Sequence, residues 1–164
     1  MTVAGNAITS SGNQDSIIVG LGLDGTYQWN NQIAGKNNET ITKLITDEED
    51  NIIAVGSFAS ELTLGKEVIT PPTDKYANGI MIKLASLNGE YISNYTFGGI
   101  QGDDKIVSAE TTEDGGLVLG GWFYSDKFDL NNDGTDDITK NSGENDGIII
   151  KLNNQENEEI EQWK

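Results

Sequence analysis

Three residue types are missing from this chain of 164 residues, and each absence excludes a kind of chemistry. There is no cysteine, which rules out disulfide frameworks and thiol catalysis. There is no histidine, the most common general base and the most common transition-metal ligand. There is no arginine, so the 10 basic residues are all lysine and no guanidinium fork is available to clamp an anion. Together these absences predict a protein that is not an enzyme.

Positive charge and long apolar runs are also scarce. The chain has 27 acidic residues against 10 basic ones, a formal net charge of −17. Nucleic acids and anionic membrane surfaces are bound by neutralising their phosphates, so both are excluded as partners. No apolar run approaches the roughly 20 residues of a membrane-spanning helix. A strand-like TVAG follows Met1 directly, so no signal peptide is visible. The acidity favours cationic partners, including metal ions.

Short apolar, β-branched runs fill the sequence, and Gly, Asn and Asp turns separate them. Such runs indicate strands, and Asp24-Gly25 and Asn88-Gly89 are typical hairpin turns. No stretch has a convincing amphipathic helical pattern, so the fold is predicted to be all-β. The expected strands are VAG, SIIVGLGL, TYQWNNQIA, ETITKLIT, NIIAVGSF, GIMIKLAS, EYISNYTF, KIVSAETT, GLVLGGWF, GIIIKLN and EIEQW.

The strands recur with a period near 65 residues, which indicates a repeat architecture. GIMIKLASLNGEY (79–91) aligns with SIIVGLGLDGTYQW (16–29), and DGGLVLGGWF (114–123) aligns with NIIAVGSF (51–58). We therefore predict one repeat module over 1–164, with approximate repeats 1–38, 39–104 and 105–164.

Four antiparallel strands per repeat is the anatomy of a β-propeller blade. The prediction is about three blades, the first of which begins at VAG and lacks a strand. A short solenoid of stacked sheets and a β-sandwich are the alternatives. Three blades are fewer than the roughly four to eight of a closed propeller. The chain is therefore expected to be a fragment of a larger protein or to form a homo-oligomer that completes the ring.

One loop has the oxygen spacing of a calcium site. Between Asp129 and Asp137, oxygen-bearing side chains occupy positions 1, 3, 5 and 9, and Gly134 stands at position 6 for a sharp turn. Position 12 is Lys140 instead of the glutamate of an EF-hand. The alternative is a solvated turn, because Asp and Asn are common in loops. One bound Ca²⁺ is predicted, with the ligands Asp129, Asn131, Asp133, Thr135 (through its carbonyl) and Asp137.

Several of these segments together resemble a known family. NDGIIIKL (145–152), YTFGGIQGDD (95–104) and DGGLVLGGWF (114–123) are similar to the bacterial β-propeller repeats of the SBBP type. The first copy departs from the pattern, with DSIIVGL and IAGKNNE. The calcium loop resembles those of integrin-like propellers and dockerin-type repeats. The family resemblance implies an extracellular or surface-displayed bacterial protein with binding or structural duties.

Function is therefore expected to be binding or presentation, with an unidentified protein or carbohydrate as the ligand. One alternative is a fragment of a carbohydrate-active enzyme that uses carboxylates such as Glu48, Glu49, Asp136 and Asp137. Another is a purely structural spacer, which would bind nothing besides calcium.

Overall fold

The computed structural model describes residues 2–130, 133–139 and 144–153, and these residues form an all-β fold. About 55% of the described residues are in strands, which form several antiparallel sheets, and the described part contains no helix. It therefore also has no helix suited to crossing a membrane. The strands are β1 (Thr2–Val3), β2 (Asn6–Ala7), β3 (Ser16–Leu21), β4 (Tyr27–Ile33), β5 (Glu39–Thr46), β6 (Ile52–Phe58), β7 (Leu62–Leu64), β8 (Glu67–Ile69), β9 (Asn78–Leu84), β10 (Tyr91–Phe97), β11 (Lys105–Thr111), β12 (Leu117–Phe123), β13 (Lys127–Phe128), β14 (Ile138–Thr139) and β15 (Asp146–Leu152).

Three sheets carry the fold, and each takes its strands from one predicted repeat. The first sheet pairs β3 with β4. The second is a four-stranded antiparallel meander in the order β5-β6-β9-β10, with the hairpin β7-β8 inserted between its second and third strands. The third has the order β11-β12-β15, and the hairpin β13-β14 is inserted at the equivalent place. The second and third repeats therefore have the same connectivity over these strands.

The sheets stack face to face, and the second sheet lies between the other two. Successive residues of a strand point to opposite faces, so each strand of the second sheet contributes to two interfaces. We call the face of a sheet toward the preceding repeat its front face and the other its back face. In the first sheet, the front face is therefore the one that points away from the second sheet. The front face buries Ala54, Ile80, Ile82 and Leu84 in one cluster with residues of the first sheet: Ile18, Trp29 and Ile33.

A second apolar cluster joins the second and third sheets. From the back face of the second sheet it contains Ile53, Val55, Met81 and Phe97. From the front face of the third sheet it contains Leu119 and Phe123, with Ile106 and Ala109 from β11. Both faces of β9 are therefore buried, which explains why NGIMIKL is almost continuously apolar.

The first strand of each complete repeat has a bulge opposite a glycine. Register shifts occur between Ile41 and Lys43 in β5 and between Ile106 and Ser108 in β11. A Cβ at Gly56 would collide with the carbonyl oxygen of Thr40, and one at Gly121 with that of Lys105. Glycine is required at both positions because the bulge brings the two backbones together.

The prediction of an all-β fold is confirmed, but the beginning of the chain differs from expectation. VAG does not add a strand to the first sheet; Thr2–Val3 pairs with Asn6–Ala7 in a small separate hairpin. Its turn places Ala4 at φ 47° and Gly5 at φ 84°, which reverses the chain before it can run along β3. The first sheet therefore has two strands among the described residues.

Other expectations are only partly met. The hairpins β7-β8 and β13-β14 were not predicted, because strands of two or three residues leave too short a pattern. The predicted strand EIEQW (159–163) lies outside the described residues. In the part of the chain that the structure describes, the sheets do not close into a barrel or a ring.

Candidate functional site

A polar cleft of about 330 Å³ opens where segments of all three repeats meet. It lies near the starts of β5 and β11 and the end of β6, so it sits along the edge of the stack where the ends of these strands meet. A larger depression of about 470 Å³ near Lys36 opens more widely to solvent and has fewer lining residues. The cleft is lined by Asn13, Gln14, Asn37, Asn38, Thr40, Ser57, Ala59, Asp74, Lys75, Ala77, Asp103 and Lys105.

Uncharged hydrogen-bonding groups dominate the lining of this cleft. Four side chains are amides, two carry hydroxyls, and the two lysines balance the two aspartates. The Asn37 amide is held in place because it donates to the carbonyl oxygens of Ala59 at 2.9 Å and Asp74 at 3.1 Å. Asp103 accepts from the backbone N–H of Ala77 at 2.9 Å. The cleft therefore offers both donors and acceptors without a net charge.

Backbone hydrogen bonds between repeats build the walls of the cleft. The N–H of Glu39 donates to the carbonyl of Gln14 at 2.7 Å. The equivalent bond in the next repeat runs from the N–H of Asp104 to the carbonyl of Ala77 at 2.8 Å. Each bond connects the start of one sheet to a segment of the preceding repeat, just before β3 in the first repeat and just before β9 in the second. The same joint is thus made twice.

A fully buried carboxylate lies at each of these joints. Asp104 accepts four hydrogen bonds, from the N–H groups of Gly99 (2.9 Å), Tyr124 (2.8 Å) and Ser125 (3.1 Å) and from the Ser125 hydroxyl (2.7 Å). At the other joint, Glu39 accepts from the Ser60 hydroxyl at 2.7 Å. Both carboxylates are 0% exposed. The two carboxylates thus lie at the backbone hydrogen bonds that join neighbouring repeats beside the cleft.

Burial raises the pKa of Asp104 above its ordinary value, although the four donated hydrogen bonds act in the opposite direction. No lysine forms an ion pair with it among the described residues. The site therefore stabilises a carboxyl group mainly through backbone donors and one serine. This arrangement is suited to fixing a loop, since three backbone N–H groups converge on the carboxylate and the Ser125 hydroxyl also contacts the carbonyl oxygen of Gln101.

These buried residues were not predicted from the sequence, although a signal was present. Glu39 and Asp104 are 65 positions apart, and so are Ser60 and Ser125. That separation equals the repeat period, and acidic and serine residues preserved in register indicate a shared polar joint. The cleft residues carry a weaker signal, namely the Asn/Gln-rich turns at 13–14 and 37–38.

The predicted calcium loop lies between β13 and β14, away from the cleft. Asp129 and Asp137 flank its base, where the N–H of Asp137 donates to the carbonyl of Phe128 at 3.0 Å. Gly134 has φ 84°, as expected for the sharp turn at position 6. Thr135 is exposed, and Asn131 lies outside the described residues.

Three carboxylates of the loop accept hydrogen bonds from its own backbone. Asp129 accepts from the N–H of Gly134 at 2.9 Å, Asp137 from that of Leu130 at 2.8 Å, and Asp133 from that of Thr135 at 2.7 Å. Among the residues that the structure describes, no three acidic side chains are grouped so that they could hold a metal ion. Calcium binding by this loop stays a prediction.

Comparisons of this chain with protein-family models, with curated proteins and with solved structures found no match.

Proposed function

We propose that this chain is a non-catalytic binding module of an extracellular bacterial protein, built from propeller-like repeats. The observation that carries the proposal is the polar cleft, where segments of three repeats converge along the edge of the stack. A repeat array positions such a cleft rigidly, because buried joints at Glu39 and Asp104 hold the segments that line it. Exposed polar loops on a rigid scaffold are a common way to build a binding surface.

The proposal that the repeats are blades is supported by the second sheet. It is a four-stranded antiparallel meander, packed face to face against a sheet on each side. That is the anatomy of a blade within a propeller, whose rings typically contain about four to eight blades. Further repeats, in the same or another molecule, would complete the ring.

The ligand we propose for the cleft is a neutral carbohydrate. Amide and hydroxyl side chains match the alternating donors and acceptors of sugar hydroxyl groups. The two lysines and two aspartates cancel in charge, and the net charge of −17 repels acidic sugars. A neutral, hydroxyl-rich molecule is therefore favoured over a charged one.

Replacement of Asn38 by alanine is expected to weaken carbohydrate binding about five- to tenfold, the equivalent of one lost hydrogen bond. Asn38 lines the cleft and is exposed. The assay is saturation-transfer NMR with a panel of neutral oligosaccharides, followed by titration of any that bind. The matched control is Gln28→Ala, which removes an exposed amide elsewhere, on β4.

Absence of binding across the panel would reject carbohydrate as the ligand, and an equal effect of Gln28→Ala would reject the cleft as its site. Hydrolysis of a bound oligosaccharide would contradict the proposal that the module is non-catalytic.

We further propose that the loop 129–137 binds one calcium ion that stabilises the third repeat. The supports are the oxygen spacing and the positive φ of Gly134. Binding also requires the loop carboxylates to exchange backbone N–H partners for the ion, which costs part of the affinity. Affinity near the millimolar range is therefore expected.

Calcium at about ten times its Kd should stabilise the fold by about 1.4 kcal/mol, visible as a higher Tm in calcium than in chelator. Asp133→Ala should abolish this increase, whereas Asp126→Ala, which removes an exposed carboxylate outside the loop, should preserve it. Isothermal titration calorimetry provides the direct measurement. No heat of binding and an unchanged Tm in millimolar calcium would contradict the site.

A further inference from the structure

The stack of sheets ends in two faces that carry exposed apolar side chains. At one end is the back face of the third sheet, with Val118, Trp122 and Ile149. At the other end is the front face of the first sheet, with Ile17, Val19 and Leu21. The segment 8–10 lies beside Ile17, where Gln32 donates to the carbonyl of Thr9 at 2.8 Å, and Val19 and Leu21 are left exposed. Ile149 is 81% exposed and Leu21 is 59% exposed. Each face can be compared with its buried counterpart inside the molecule, because the repeats are equivalent.

The end face of the third sheet corresponds to a face that is buried in the second sheet. By the repeat alignment, Val118 and Ile149 occupy the positions of Ile53 and Met81. Ile53 and Met81 are only 1% and 5% exposed, because the third sheet packs on them. The third sheet thus repeats the apolar residues of this face at Val118 and Ile149, with no following repeat in the described residues. Glu110 and Lys151 flank Val118 on this face, and Gly120 stands where the second sheet has Val55.

The front face of the first sheet corresponds to the front face of the second sheet, which is buried against the first sheet. Ile17, Val19 and Leu21 occupy the positions of Ile80, Ile82 and Leu84, all of which are 0% exposed where the first sheet packs on them. Their cross-strand neighbours also match in type and register. Val19 pairs with Asn30 and Leu21 with Tyr27, just as Ile82 pairs with Asn94 and Leu84 with Tyr91.

A contact between side chains recurs on this face in both sheets. The Asn30 amide donates to the Tyr27 hydroxyl at 2.6 Å, and the Tyr91 hydroxyl donates to Asn94 at 2.5 Å. Over its two strands, the front face of the first sheet therefore has the same arrangement of residues as the front face of the second sheet. The latter packs against the back face of the first sheet.

We propose that the chain self-associates head to tail, with the back face of the third sheet of one copy docking on the front face of the first sheet of another. The two surfaces differ, so the contact is heterologous and generates a closed ring or a filament. The occupant of each face is a second copy of this chain, because the same pair of faces already packs together twice within the molecule. This inference is independent of the ligand proposed for the cleft.

The charge of the chain predicts how its self-association depends on salt concentration. Each copy carries a net charge of −17, so copies repel one another at long range while the apolar faces attract at contact. Salt screens the repulsion between exposed charges. Association should therefore strengthen as ionic strength rises, in contrast to an interface held together by ion pairs.

The test measures solution mass by light scattering coupled to size exclusion, over a range of protein concentrations. The wild type should exceed the monomer mass of 17.7 kDa at high concentration. Ile149→Lys and Leu21→Lys should each remain monomeric, because each places a charge on one of the two docking faces. The matched control Leu87→Lys adds the same charge at an 82% exposed turn position and should associate like the wild type.

Mixing the two variants separates the head-to-tail contact from a symmetric one. Ile149→Lys retains an intact front face and Leu21→Lys an intact back face, so an equimolar mixture should form one heterodimer and nothing larger. A wild type that is folded by circular dichroism yet monomeric at every concentration would overturn the proposal. So would a mixture that stays monomeric, or a loss of association in only one of the two variants.

Discussion

Replacement of Asp104 by alanine is expected to lower the free energy of unfolding by about 3–5 kcal/mol, because several N–H groups lose their acceptor and each unsatisfied buried polar group costs about 1–3 kcal/mol. The carboxylate is 0% exposed and accepts four hydrogen bonds. Its removal takes an acceptor away from the buried N–H groups of Gly99 and Ser125 and from the partly buried N–H group of Tyr124. Chemical denaturation followed by circular dichroism measures the change.

Asp126→Ala is the matched control, because it removes an exposed carboxylate one residue after Ser125. Its effect should stay within about 0.5 kcal/mol. An Asp104→Ala variant as stable as this control would mean that water or a rearranged loop satisfies the three N–H groups, and the joint would then not be structural.

Asp104→Asn isolates the contribution of the raised pKa. Because burial raises the pKa of Asp104, the folded state holds its proton at pH values where the unfolded chain has already released it. The contribution of this group to stability is fully present below the unfolded pKa and is lost as pH rises through the folded pKa. The wild type should therefore lose stability relative to Asp104→Asn as pH rises across that window. A difference that does not change with pH would contradict the raised pKa.

Replacement of Phe58 by alanine is expected to cost about 3–5 kcal/mol, the usual range for removing a fully buried phenylalanine side chain. Phe58 is 0% exposed and lies at the end of β6 in the cluster that contains Trp29 and Ile33 of the first sheet. The cavity left behind would loosen the joint between the first and second sheets. Denaturation reports the loss of stability, and amide hydrogen exchange should show the first sheet losing protection before the third.

The control for Phe58 is Leu87→Ala, a truncation at an 82% exposed position in the turn between β9 and β10. It should change stability by no more than about 0.5 kcal/mol. If Phe58→Ala costs less than about 1 kcal/mol, the cluster does not carry the joint. Loss of protection in the third sheet instead of the first would assign Phe58 to the wrong interface.

Individual strands were predictable where their pattern was long and strong. GIMIKLAS and ETITKLIT were expected as strands, and they form β9 and β5. VAG was assigned wrongly as the beginning of the first blade, because the chain makes a tight turn at Ala4 and Gly5. A three-residue match contains too little information to distinguish a sheet strand from a local hairpin.

The polar features were less predictable. The spacing from Asp129 to Asp137 predicted a site in a loop that is exposed. The burial of Asp104 and Glu39 was not predicted, because their segments resemble ordinary turns. Acidic residues are usually solvated, so composition favours the exposed interpretation. The recurrence of serine at 60 and 125, at the same 65-residue separation as Glu39 and Asp104, is the stronger signal in the sequence for these buried carboxyl groups.

The sequence by itself determined that this protein is all-β and where most of its strands lie, because alternation of apolar residues and turn-forming Gly, Asn and Asp act over a few positions. It also determined the repeat, since self-similarity needs no structure to be seen. Only the tertiary structure decided that Asp104 is buried, that the end faces of the stack are exposed, and that one cleft gathers residues from 13 to 105. Those properties depend on which sheet packs on which, and stacking contacts join residues that are distant in the sequence.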